Sequence, residues 1–138
     1  MKKYFVTLLV VLPAISFAQN TLAELKQIGA RRLTSEELNS VLVGATAAGK
    51  GTRNTYSEVE FHPNGHTTGA IFAGGKSYAL TGTYSIDADG HLCVHYDFIA
   101  GIAPFEGCVV YYTKDMQYFL SYSDTDPKAE VYKRVFKK

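Results

Sequence analysis

Two short runs with strand-like patterning each carry one of the chain's two cysteines. Cys93 lies in Leu92-Cys93-Val94-His95-Tyr96 and Cys108 in Gly107-Cys108-Val109-Val110-Tyr111-Tyr112, with a loop of residues 97–106 between them. Two neighbouring antiparallel strands can set these side chains opposite each other, and a disulfide there pins the register of the pair. A one-residue slip turns every side chain of a strand to the other face, so a pinned hairpin constrains the sheet around it. The chain has 138 residues, enough for one domain. In a domain of that size, closing a loop of roughly 15 residues contributes about 3 kcal/mol.

Residues 1–18 read as a secretory leader. Lys2 and Lys3 supply the positive start, and residues 4–12 are apolar except Thr7. That run is shorter than the ~20 residues a membrane span needs. Pro13 breaks it, and Ser16 and Ala18 place small residues at the −3 and −1 positions, so cleavage is expected before Gln19. No cysteine follows that site to take a lipid, and the expected compartment is the periplasm or the outside medium. Without the leader's two lysines, 12 basic residues stand against 13 acidic ones. That balance gives no basic patch for a nucleic-acid surface. Paired cysteines in an exported chain point to a disulfide in an oxidising space.

The expected domain covers residues 19–138, beginning with a helical segment at 21–42. Thr21 and Glu24 have capping-box spacing, as do Thr34 and Glu37, and Leu38, Val41 and Leu42 recur at helical intervals. Beyond Gly44 the period becomes two. Ser57, Val59 and Phe61 alternate with Tyr56, Glu58 and Glu60; after a turn at residues 62–65, residues 66–72 return. Tyr78, Leu80, Tyr84 and Ile86 share a face of the next strand, and Asp89-Gly90 turns into the strand of Cys93. Strands at 109–113, 116–121 and 130–136 follow. With a short strand at 43–48, about eight strands run in series. Short turns and no long crossover predict an eight-stranded antiparallel up-and-down barrel or half-barrel, which encloses side chains or one small ligand.

The chemical motifs are weak. Residues 44–51 approach a P-loop, but Gly51 stands where the pattern needs Ser or Thr to hold magnesium, and no helix is expected after it. Asp87-Ala88-Asp89-Gly90 opens like a calcium loop and lacks the rest of it. His91, Cys93 and His95 share a strand face at metal-ligand spacing, yet an oxidised Cys93 offers no thiolate. Glu58 and Glu60 share an exposed face, and no nucleophile elbow is present. No cofactor and no enzymatic activity are expected.

The aromatic residues are more suggestive. Tyr78, Tyr84, Tyr96, Tyr112 and Tyr118 lie on strands, and tyrosine combines apolar area with a polar tip. Phe98 and Phe105 bound an apolar stretch, residues 98–105, in a position where loops are usually polar. These seven residues are the candidate ligand contacts. The stretch itself is expected to act as a lid, as an exposed binding edge or as a plug for the core.

The order of Leu33-Thr34-Ser35-Glu36-Glu37-Leu38, Val43-Gly44, Phe61-His62-Pro63-Asn64-Gly65, Gly82-Thr83-Tyr84-Ser85-Ile86, Leu92-Cys93-Val94 and Gly107-Cys108 resembles a group of small exported bacterial proteins. That group carries an uncharacterised, lipocalin-like domain with a paired-cysteine hairpin. This chain departs from the pattern with Ala45 for Asn, Asn64 for Asp and Tyr84 for Trp. The resemblance implies the barrel and the disulfide and brings no activity with it. A more distant likeness is to exported barrel inhibitors of proteases or lysozyme.

Two functions follow as expectations. One is a non-catalytic binding protein with a small apolar or aromatic ligand in a tyrosine-lined cup. The alternative is an inhibitor or adaptor that grips another protein through the 98–105 loop. Neither nucleic acid nor stable membrane insertion is expected.

Overall fold

The period-two runs become strands of one continuous antiparallel sheet in the computed structural model, which describes residues 20–138; the expected leader lies outside the described residues. The strands are β1 (Arg31–Arg32), β2 (Thr46–Lys50), β3 (Tyr56–Phe61), β4 (His66–Ala73), β5 (Lys76–Ile86), β6 (Leu92–Phe98), β7 (Phe105–Lys114), β8 (Gln117–Ser121) and β9 (Val131–Lys137). From β2 to β9 each strand pairs with the next, and β9 returns to β2 through Thr46↔Lys137, Ala47↔Phe136 and Ala48↔Val135. The result is a closed eight-stranded barrel. The remaining strand, β1, pairs with Tyr112 and Thr113 of β7, beyond the point where β6 leaves that edge.

Local chemistry sets the joins. Asp115 and Met116 both take positive φ between β7 and β8, as Gly74 and Gly75 do between β4 and β5, the conformation that matches a tight hairpin to the twist of its strands. On β5 the sheet coils so sharply that a Cβ on Gly82 would stand 1.9 Å from the His95 carbonyl oxygen.

Among the described residues two α-helices and one 3-10 turn, Thr52–Asn54, complete the fold. In α1 (Leu22–Gln27) the Thr21 side chain accepts from the Glu24 amide. In α2 (Ser35–Leu42) the capping box is reciprocal: Thr34 Oγ1 accepts from the Glu37 amide at 3.2 Å, and the Glu37 carboxylate accepts from the Thr34 amide at 3.0 Å. Capping holds the start of α2 so that its apolar face meets the barrel. Leu38 and Leu42 are fully buried and join Leu33, Phe61, Leu80 and Leu92 in the main core. Because α2 leads straight into β2, it plugs the end of the barrel that carries the β3–β4, β5–β6 and β7–β8 turns.

A second cluster lies outside the barrel wall. Leu22 and Leu25 of α1 pack on Val110, Tyr112, Phe119 and Val131. Alternation therefore disappears in β7, where Val109, Val110, Tyr111 and Tyr112 are all buried, the odd positions inside the barrel and the even ones beneath α1.

Candidate functional site

Cys93 and Cys108 are directly opposed on β6 and β7, with Cα atoms 4.0 Å apart, and form a disulfide. It faces outward, because Leu92, Val94 and Tyr96 on the same strand pack inward. The hairpin beside the barrel's open end is thus tied from outside, leaving its inner face free to line the interior.

That interior holds a cavity of about 230 Å³. Its wall is mainly apolar, with Val94, Val109, Tyr111 and Leu120 among the deeper residues. Gly51, Thr52 and Thr55 of the β2–β3 connection, with Phe105 and Tyr122, form the mouth opposite the α2 plug. Phe105 is 38% exposed and stacks on Tyr96 with ring centres 6.0 Å apart, so the rim is aromatic.

Of the seven expected contacts, Tyr96 and Phe105 line this cavity. Tyr112 is displaced from the expected cup by one residue of phase: it points outward under α1, and Tyr111 takes the inner position. Tyr84 turns inward at the plugged end, where its hydroxyl donates to the His62 carbonyl at 2.6 Å and its ring meets Phe61 edge-on. Tyr118 packs edge-on against Phe136, 5.1 Å between ring centres. Tyr78 lies on the inner side of β5 and Phe98 against the core, both away from the cavity wall. The 98–105 stretch does not plug the core: Ile99 is 74% and Ile102 42% exposed, on a loop shortened to residues 99–104 by the strands on either side.

Burial tunes the phenols. Tyr111 is 2% exposed, and burial pushes its hydroxyl up to about 12; Tyr96 is raised by the same cause, with Arg134 acting against the rise at both. Arg134 was not among the residues singled out in the sequence. Its neighbours two positions away, Tyr132 and Phe136, carry the signal that places it on the inner side of β9. Only 8% of Arg134 is exposed, and it lines the cavity. The β2–β9 ladder stops at Ala48↔Val135, and past it Arg134 Nη1 donates to the carbonyls of Lys50 at 2.6 Å and Lys133 at 3.1 Å.

The other motifs fall elsewhere. The near-P-loop run forms β2 and its turn, and it is followed by a single 3-10 turn, Thr52–Asn54, rather than an α-helix. Asp87, Asp89 and His91 gather ligand atoms within 4.8 Å of one another. The Asp87 carboxylate there accepts from the amides of Asp89 and His91 and closes the β5–β6 turn, and the His91 amide is the main cause holding its pKa below the usual carboxylate range. His95 faces outward and meets Asp97 at 3.2 Å.

Comparisons with protein-family models, with curated proteins and with solved structures found no match for this chain. The family resemblance rests on the sequence motifs alone.

Proposed function

We propose that the protein is an exported, non-catalytic binding protein that holds one small apolar or aromatic molecule inside its barrel. The observation that carries this reading is the 230 Å³ cavity, plugged by α2 at one end and rimmed by Phe105 and Tyr122 at the other. Cavities of about 150 Å³ accept benzene, so by proportion this one suits about nine or ten non-hydrogen atoms. The Cys93–Cys108 disulfide fits an oxidising compartment. No described helix is long and apolar enough to cross a membrane, and Glu58 and Glu60 sit on the outer face of β3, where a lipid-facing strand would be apolar.

A second reading, an inhibitor or adaptor, is supported by the exposure of Ile99 and Ile102 beside the mouth. Native mass spectrometry of the protein purified from its export compartment separates the two. A retained small molecule supports the carrier, and a retained protein supports the adaptor. If the protein emerges bare and small aromatic molecules fail to raise its Tm, the carrier reading is wrong.

A further inference from the structure

We infer that the cavity is built for a ligand carrying a carboxylate, held by the free edge of the Arg134 guanidinium, with its apolar body against the inner wall. The inference deepens the carrier reading and rests on it.

A guanidinium has five N–H donors. The two on Nη1 are directed to the carbonyls of Lys50 and Lys133. Among the described residues, Nε and Nη2 donate to nothing, and Arg134 forms no salt bridge. Nε–H and one Nη2–H are parallel and form a two-pronged edge that matches the two oxygens of a carboxylate. The backbone bonds therefore fix the plane of the group and leave its best recognition edge unused.

Burying a cation without a counter-charge costs several kcal/mol, and an arginine placed so is usually paired with an acid. Here no acid among the described residues pairs with Arg134, while the side chain lines a cavity of ligand size. The space for it is made locally. Gly49 faces the barrel interior, and a Cβ there would stand 2.8 Å from Arg134 Nη1 and 3.2 Å from Arg134 Cδ. Tyr96 and Tyr111 add hydroxyls in the same wall that have no hydrogen-bond partner among the described residues, and a phenol is protonated at neutral pH, so each is a donor. A cationic fork and two phenolic donors in an otherwise apolar chamber select an anionic head on an apolar body. A neutral hydrocarbon would leave all of them unpaired.

The test is calorimetric titration of the purified protein with phenylacetate and heptanoate, each against its uncharged amide, and with acetate. The acids are expected to bind about ten- to a hundredfold more tightly than the amides, the range for hydrogen bonds to a charged group. Acetate, which lacks the body, is expected to bind far more weakly. Arg134→Met should erase the preference for acid and Arg134→Lys should keep part of it, with circular dichroism confirming an unchanged fold. Acid and amide binding equally to the parent protein would overturn the anion site and leave the carrier reading intact. No binding of either would overturn both. Acetate binding as tightly as phenylacetate would mark a bare-anion site, and a preference surviving in Arg134→Met would remove Arg134 from the assignment.

Discussion

Gly49 and Arg134 occupy one space: a Cβ on Gly49 would stand 2.8 Å from Arg134 Nη1 and 2.3 Å from the Lys133 carbonyl oxygen. The side chain that β2 omits is the room that β9 fills. Gly49→Ala cannot be absorbed by a rotamer change, because the nearer obstacle is backbone. The strands must part, and the Nη1–Lys50 bond goes with them. Overpacking of this kind costs about 1–3 kcal/mol. Urea unfolding is expected to show that loss, and the affinity for carboxylate ligands should fall even though no ligand contact has been removed.

The disulfide ties β6 to β7 at the strands that supply Val94, Tyr96, Phe105 and Val109 to the cavity. Its closed loop spans a sequence separation of 15. Replacing both cysteines by alanine is expected to lower stability by about 3 kcal/mol. The barrel should still close, since the seven other pairings that close it are untouched. Thermal melts of the double variant, and of the parent with and without reductant, measure the effect; equal Tm values in all three would show that the bond adds nothing.

Much of this architecture was readable from patterning. Tyr78, Leu80, Tyr84 and Ile86 share the inner side of β5, Glu58 and Glu60 the outer side of β3, and Thr34 with Glu37 starts α2. What failed was phase within β7. Val109, Val110, Tyr111 and Tyr112 carry no polar residue to mark a face, because α1 buries the outer side as well, so Tyr112 was placed where Tyr111 belongs. Which inward tyrosines line the cavity was also hidden. Tyr84 and Tyr118 face inward, but which end α2 plugs depends on tertiary packing that alternation does not encode. Arg134 was not singled out, because an arginine beside a lysine forms no motif, although Tyr132 and Phe136 two residues away mark its side of the strand.

The buried phenols make the fold sensitive to alkali. The hydroxyl of Tyr111 is pushed up to about 12 by burial, against an ordinary value near 10. Its folded-state acidity is weaker than in the unfolded chain, so its contribution is complete below about pH 10. The contribution is lost as the pH rises through about 12, where the unfolded chain ionises first. A two-unit difference is worth about 3 kcal/mol. Unfolding free energies measured from about pH 9 upward should fall in that window, and Tyr111→Phe should flatten the curve. A parent protein equally stable across the window would contradict the burial of this hydroxyl.

The apolar rim separates into two parts that mutation can distinguish. Ile99 and Ile102 are exposed on the 99–104 loop and do not line the cavity, whereas Phe105 lines it and stacks on Tyr96. Replacing Ile99 and Ile102 together by serine changes two exposed loop side chains that belong to neither core cluster, so stability should stay within about 0.5 kcal/mol. Small-ligand affinity should also hold in that double variant. Phe105→Ala, in contrast, opens the mouth and removes a stacked ring from the ligand's path, so affinity should drop several-fold with little loss of fold. If the adaptor reading is right, the pattern inverts: the double serine variant loses its protein partner. Titrating one small carboxylate and one captured partner against both variants gives four affinities, and only one of the two patterns is compatible with each function.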